Sequence, residues 1–545
     1  MKICLPRVGA PVLTLAASSF LVLAYNASFW KSFLSATGGL RGNLPVHAGV
    51  FLALVLLFNA LLTLVNFRQV IKPVLIVLFM AASSTSFFIT HYGIVVDSSM
   101  IQNVVETDAR EAHELLSWQL LQTVTVMGLL PSLLVWRLPL RFPPVRRDLM
   151  VKLATVAFSL LAIAGLLMVL FKTLAPAVRE HRELRFLLTP TNIFQATHGY
   201  LRRRWATPAV LAPLGTDAAK GSKWAGSPGR RTVTVLVVGE TARAMSFSLN
   251  GYGRQTNPLL SRQQDLINFR NVSSCGTATA ISVPCIFSGL GRDDYSADRA
   301  NSREGLLDVL KHAGFDVLWR DNNSGCKGAC DRIRYEDLSQ PVAGDPLCNA
   351  EECYDERLLR DLPHMIRNAR KDLVIVLHQK GSHGPAYWKR YPAEFGKFGP
   401  VCTTNELEQC SREEIVAAYD NTILYTDYFL SRVIDLLREA TAEADVDTAM
   451  LYFSDHGESL GEKNMYLHGA PYIISPAEQR SVPMMLWLSD SFRSRFAIDQ
   501  KCLAARAGQE FSHDNVFHTV LGMLNVSTAI HNPKLDLVHA CSRAN

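Results

Sequence analysis

Residues 232–240 read TVTVLVVGE, an apolar, β-branched run closed by a glycine and a carboxylate. Valine and threonine favour strands. A run that is apolar at consecutive positions, not alternate ones, belongs to a strand covered on both faces, as in a parallel sheet between helices. The same pattern recurs as FDVLW (315–319), DLVIVL (372–377), AMLYF (449–453) and VPMMLWL (482–488). Between these runs lie amphipathic stretches with helical spacing, REGLLDVLKHAG (303–314) and EEIVAAYDNTILYTDYFLSRVIDLLREA (413–440). Strands alternating with helices predict an α/β/α sandwich with a mostly parallel sheet over 232–545.

Two of these runs end in potential metal ligands. The first reaches Glu240, and AMLYFSDHGE runs into Asp455 and His456. In open α/β sheets ligands gather beyond the carboxyl ends of the strands, so the three side chains are expected to converge. Two carboxylates and an imidazole suit Zn²⁺ and leave a fourth position open. His383 in LHQKGSHGP and His468 in YLHGAP sit in glycine-flanked loops. Taken singly, each histidine reads more readily as structural, but five candidate ligands in such places point together to a metal centre. In SSCGTATAISVPCIFSGL (273–290), Thr279 opens a helical pattern, where backbone N–H groups favour an anion. A metal can activate its hydroxyl as a nucleophile; the competing reading is a helix N-cap.

Upstream the chain changes character. Of 55 Lys+Arg and 49 Asp+Glu in 545 residues, only 13 and 6 fall in residues 1–176, so the formal charge of +6 belongs to the N-terminal third and signals no nucleic-acid partner. That third holds apolar runs at 11–30, 49–67, 73–90, 119–136 and 153–171, none with an Asp, Glu, Lys or Arg. Each is near the roughly 20 residues needed to cross a bilayer as a helix. Lys2, Arg7, Arg68, Lys72, Arg137, Arg141, Arg146, Arg147 and Lys152 fall on one side of these runs, against Lys31, Arg41, Arg110 and Lys172 on the other. The bias places the N-terminus in the cytoplasm and everything after about residue 172 outside. The absence of intramembrane charge argues against an ion pathway. Between the third and fourth runs, SMIQNVVETDAREAHELL (99–116) is expected to form an amphipathic helix, with Asn103, Thr107 and Glu111 sharing one face at i, i+4, i+8.

Ten of the eleven cysteines lie in the outer part, mostly in close pairs: Cys275/Cys285, Cys326/Cys330, Cys348/Cys353 and Cys402/Cys410, with Cys502 and Cys541 left to each other. An even set outside and the lone Cys4 inside suit an oxidising compartment. CKGAC is read as a small-loop disulfide in preference to a metal or redox pair.

The motifs VVGET (237–241), SCGTATAISVPC (274–285), NNSGCKGACD (322–331), HQKGSHGPAY (378–387) and SDHGESLGEKNMYLHGAPY (454–472) closely resemble those of the phosphoethanolamine transferases. These are bacterial inner-membrane enzymes that decorate lipid A, with catalytic domains similar to the alkaline phosphatase/sulfatase superfamily. The resemblance runs along essentially the whole chain. It implies a five-helix transmembrane domain with a periplasmic loop helix over 1–172, bridging helices and a linker over 173–231, and a periplasmic catalytic domain over 232–545. It further implies that Glu240, Thr279, Asp455 and His456 bind a catalytic Zn²⁺, with Thr279 as nucleophile. His383 and His468 would hold phosphoryl oxygens or a second zinc. Lys327 would contact the substrate phosphate or head group, and Asn103, Thr107 and Glu111 would line the donor head-group pocket. Ile281 stands where a Tyr follows the nucleophile in some members. The implied reaction moves phosphoethanolamine from phosphatidylethanolamine to lipid A through a covalent threonine intermediate. It would be carried out by a monomer in contact with membrane lipids, and would confer polymyxin resistance. An inner-core sugar acceptor or a phosphoglycerol donor is the alternative within the family. A sulfatase is disfavoured because Ser282-Val283-Pro284 lacks the Arg two residues after its proline, where Ile286 stands. A non-catalytic receptor is opposed by the intact ligand set.

Overall fold

A computed structural model describes residues 7–37, 39–106, 109–181, 184–204, 211–225 and 229–542. It places the run that ends at Glu240 in the middle of a seven-stranded sheet. The strands are β1 (Arg231–Gly239), β2 (Ile267–Phe269), β3 (Asp316–Asp321), β4 (Arg334–Asp337), β5 (Leu373–His378), β6 (Val446–Ser454) and β7 (Met484–Leu488), in the order β2-β7-β6-β1-β5-β3-β4. β7 runs antiparallel to β6 and to β2, while β6, β1, β5, β3 and β4 are parallel. The central strand is buried on both faces. Leu236 and Val238 join a cluster with Phe287, Leu306 and Val520, and the alternating Val233, Val235 and Val237 are equally buried on the other side. Two edge strands carry no sequence signal, since β2 has three residues and β4 (RYED) four, most of them charged.

Register decides what the sheet can do. Gly239 pairs with Ser454, Val238 with His378, and His378 with Asp321. Four parallel strands therefore end at nearly one level, and the residues that follow them share one rim. Helix α1 (Thr279–Ser288) starts after an extended Ala278 and stops at Gly289, whose φ of 68° is a left-handed cap. α2 (Leu306–His312) and α3 (Arg412–Glu443) correspond to the two amphipathic stretches. A capping box starts α3: Ser411 Oγ accepts from the Glu414 N–H, and the Glu414 carboxylate accepts from the Ser411 N–H. α4 is Asp514–Met523. Disulfides join Cys275–Cys285, Cys326–Cys330, Cys348–Cys353, Cys402–Cys410 and Cys502–Cys541.

The chain divides into two compact units, Met1–Ile101 with Leu116–Arg202, and Gln102–Leu115 with Arg203–Asn545. Among the described residues the first holds four helices long and apolar enough to cross a membrane: Asn43–Leu64, Ile71–Tyr92, Trp118–Arg137 and Val145–Phe171. The first apolar run is not one straight helix. It breaks into Ala10–Ala24 and Ala27–Ala36, bent by 66°, and counted as one span the pair gives five. Asn26 is the cause. Its amide donates to Leu21 O and Thr189 O, and its carbonyl accepts from Thr189 N, all at 2.8 Å. The second unit includes more than the sheet. Residues 211–225 pack on it, with Trp224 Nε1 donating to Leu524 O at 2.7 Å and Ala219–Lys220 pairing with Val526–Ser527. Within the segment 99–116, Ser98–Glu106 and Ala109–Glu114 are helical, and residues 107 and 108 of the expected helix lie outside the described residues.

Candidate active site

Glu240 follows β1, and Asp455 and His456 follow β6, so the paired ends of these strands bring all three together with no side-chain exposure. Their ligand atoms lie within 4.8 Å of one another. Thr279 joins them as the first residue of α1, its Oγ1 donating to Glu240 Oε2 at 2.9 Å and lying 3.3 Å from His456 Nε2. The N-cap reading is thereby corrected, because Ala278 caps α1 and the threonine hydroxyl is turned to the cluster. His383 and His468 form a second group with Glu240, again with ligand atoms within 4.8 Å. Glu240 is common to both groups.

Each ligand is aimed by a neighbour. His456 Nδ1 is 2.9 Å from Gly457 O, which leaves Nε2 facing the carboxylates. Asp455 Oδ1 accepts from the N–H groups of Thr241 and His456, at 3.1 and 2.7 Å, whereas its Oδ2 is buried without a hydrogen bond. An orphaned carboxylate oxygen beside an imidazole and a second carboxylate is what a metal ion would satisfy. Gly381 lies against Glu240: its φ is +53°, and a Cβ there would stand 2.6 Å from Glu240 O. The electrostatics are tightly linked. Burial alone would raise Glu240, but the His456 hydrogen bond and charge, with His383 and His468, hold it well below the usual carboxylate range. Burial and repulsion from Glu240 push Asp455 up to about 6. Burial opposes the charge on His456, but Asp455 and Glu240 prevail and lift it to about 10. The cluster is thus a negative hole suited to a cation, be it a proton or a metal.

Several residues here escape a reading of the sequence alone. Asn323 Nδ2 donates to Glu240 Oε2 at 2.8 Å and to Gln379 O at 2.9 Å. Glu458 takes the Tyr387 hydroxyl at 2.6 Å on one oxygen and faces His468 Nδ1 at 2.8 Å with the other. Arg390, fully buried, donates to His383 O at 2.8 Å and pairs with Glu352 and with Glu114 of the loop helix. His513 sits between the Cys275 N–H, which its Nδ1 accepts at 3.0 Å, and Ser454 O, 2.9 Å from its Nε2. Of these, Glu458 and Asn323 carried a signal, Glu458 standing two residues past His456 in the same motif and Asn323 lying in NNSGCKGACD.

Lys327 has a φ of 50° in the loop bridged by Cys326–Cys330. It donates to Ser324 O and Oγ, both at 3.1 Å. Asn103 lies on Ser98–Glu106. Glu111 lies on Ala109–Glu114 but its side chain, like all of Thr107, is outside the described residues. The shared face expected of the three is therefore not described.

A family model described as Sulfatase matches residues 232–526, and one described as Phosphoethanolamine transferase EptA/EptB matches residues 54–205. The chain is 38% identical over 534 residues to Phosphoethanolamine transferase EptA of Escherichia coli (strain K12), which covers 97% of each protein. Over 492 residues it is 39% identical to Phosphatidylethanolamine transferase Mcr-1 of Escherichia coli, with 87% of this chain and 89% of that one covered. The integral membrane protein lipooligosaccharide phosphoethanolamine transferase A (EptA) from Neisseria meningitidis superposes with a TM-score of 0.94 at 33% identity, covering 99% of this chain and 100% of that one. A sulfatase-type sheet domain and an apolar helical domain, alike along their whole length to these enzymes, make this chain a member of the inner-membrane phosphoethanolamine transferase family, in the alkaline phosphatase/sulfatase superfamily.

Proposed function

We propose that the protein transfers phosphoethanolamine from phosphatidylethanolamine to a phosphate of lipid A at the periplasmic face of the inner membrane, with Thr279 as nucleophile. The observation that carries this reading is the Thr279 hydroxyl bonded to Glu240, within the cluster of Asp455 and His456. Two carboxylates, an imidazole and a hydroxyl fit Zn²⁺. When bound, zinc supplies the Lewis acid that lowers the pKa of the hydroxyl. The proton of Thr279 leaves along its existing hydrogen bond toward Glu240. Oγ1 attacks the donor phosphorus, the bond to diacylglycerol breaks, and diacylglycerol departs as the protonated alcohol. A phosphate oxygen of the acceptor then attacks the phosphoethanolamine-threonine and forms a diphosphate, the bond from phosphorus to Thr279 Oγ1 breaks, and Oγ1 takes up a proton from solvent by way of Glu240. His383 and His468 stand where the transferred group's equatorial oxygens gather charge in both steps. Capping lipid A phosphate removes negative charge from the cell surface, which weakens the attraction of cationic peptides such as polymyxin.

Mass spectrometry of lipid A from cells expressing the wild type or Thr279→Ala tests the assignment. The wild type adds one phosphoethanolamine mass to lipid A, and the variant adds none. Equal modification by both would remove Thr279 from the mechanism.

A further inference from the structure

A cleft of about 500 Å³ opens beside α1 in the catalytic unit, a size suited to a sizeable ligand group. Ala280 and Pro284 of α1 line it, together with Ser324, Lys327, Arg303 and Arg332. Ala280 follows the nucleophile, and Ser324 follows Asn323, whose amide rests on Glu240. The lining is thus one residue removed from Thr279 and from a partner of Glu240.

Charge distinguishes the cleft from the metal cluster. Three cationic side chains line it against one carboxylate, Asp331. Two of the three are engaged. Arg332 is committed to Asp308 through Nε and Nη2, at 2.8 and 2.7 Å, and Lys327 is folded onto Ser324. Arg303 differs, because its guanidinium has neither a hydrogen bond nor a carboxylate among the described residues. Burial, and then the nearby charge of Arg299, hold its pKa below the ordinary arginine value. A half-buried guanidinium without a counterion invites an anion with paired oxygens, and phosphate matches its fork. The two substrates of the proposed reaction differ in charge. The donor head group is a phosphodiester monoanion joined to an ammonium, whereas the acceptor presents a phosphate monoester, nearly a dianion, with no cation of its own. A cation-rich cleft favours the second.

We propose that this cleft seats the phosphate monoester of the acceptor lipid, with Arg303 as its principal ligand, and that it governs the second half of the reaction and not the first. The assignment rests on the two-step reading above. It makes Arg303 a binding residue for the acceptor, separate from the donor head-group contacts implied for Asn103, Thr107 and Glu111.

The two half-reactions separate this claim from its foundation. Full-length protein in detergent is mixed with labelled phosphatidylethanolamine, and diacylglycerol release and phosphoethanolamine-Thr279 are followed; bisphosphorylated lipid A is then added. Arg303→Ala is expected to form the adduct at a rate within about twofold of wild type, which also shows that the variant folds. Its transfer to lipid A falls on the order of 10- to 100-fold, the loss of one charged bidentate contact. Arg303→Lys recovers part of the transfer, and Arg303→Glu loses more than Ala. The cleft assignment is overturned if Arg303→Ala slows adduct formation as much as transfer, which would make the cleft a donor site. Unchanged rates in both steps overturn it too. If the wild type forms no adduct at Thr279, the two-step reading fails, and the cleft assignment with it.

Discussion

The inner ligand group and the outer histidine pair share Glu240, yet they are built in opposite ways. Glu240, Asp455 and His456 follow directly from strands whose register is fixed by a ladder of backbone bonds, and their side chains have no exposure. His383 comes from a loop and His468 from the end of a two-residue strand outside the central sheet, Tyr466–Leu467 paired with Ser459–Leu460, and side chains hold them, through the Arg390 bond to His383 O and the Glu458 carboxylate at His468 Nδ1. A group placed by the sheet keeps its geometry when any one supporting side chain is lost. A group placed by side chains does not. Substitutions that separate the two modes of construction test that difference.

The largest effect is expected inside the group placed by the sheet. Asp455→Asn keeps the shape but removes the charge on the orphaned oxygen, so metal content should fall toward zero. Turnover should drop by a factor on the order of 10³ to 10⁶, the scale of deleting one member of a catalytic unit. Zinc analysis of the purified protein, alongside transfer to lipid A, checks this. A variant that keeps full zinc and activity would end the metal assignment.

Next comes the support of the outer pair. Arg390→Met strips a buried guanidinium from Glu114 and Glu352 and leaves two carboxylates uncompensated, a change that costs about 3–5 kcal/mol. The melting temperature should fall clearly. Glu352 is already raised by burial, with Glu114 opposing its charge, and Arg390 is the first of the cations that hold it down, so its loss should raise Glu352 further. Glu458→Gln is milder. It keeps a partner for Tyr387 but weakens the hold on His468, and a loss of about 10- to 100-fold in turnover is expected, as for supports of metal-site histidines. The inner zinc should remain bound. If Glu458→Gln removed zinc as completely as Asp455→Asn, the two groups would be one site and the comparison would fail.

The same contrast sets what the sequence reveals. The strands of the central sheet are legible because apolar residues on both faces leave an unbroken run, and their ends are legible because Glu240, Asp455 and His456 break it. The edge strands are not legible, since Arg334–Asp337 carries charge instead of apolar residues. Asn323, Arg390 and His513 act through partners 83, 276 and 238 residues away, and no spacing rule connects such pairs. The bend in the first apolar run is hidden in the same way, because Asn26 breaks the helix by bonding to Thr189, 163 residues on.

The smallest expected effect concerns how firmly the sheet-placed group is held. His513 links the Cys275 N–H, at the approach to Thr279, to Ser454 O, which immediately precedes Asp455. It can accept from one and donate to the other only as a neutral ring. Burial, with the charge of His456 adding to it, pushes its pKa from 6.5 down to about 3. The folded chain therefore binds fewer protons than the unfolded chain between these values. Its contribution to stability is complete above pH 6.5 and falls by about 1.4 kcal/mol for each pH unit below. Gln at 513 presents the same acceptor and donor but does not titrate. His513→Gln is thus expected to leave stability at pH 7.5 nearly unchanged and to reduce the loss between pH 7 and pH 5 by roughly 2 kcal/mol. Denaturant unfolding of the full-length protein at the two pH values measures this. His518, lowered to about 4 by burial, acts in the same direction in both proteins and cancels from the difference. Equal acid sensitivity in the two proteins would mean that the link between the threonine loop and the β6 end is loose. The sheet-placed group would then depend on its side chains as much as the outer histidines do.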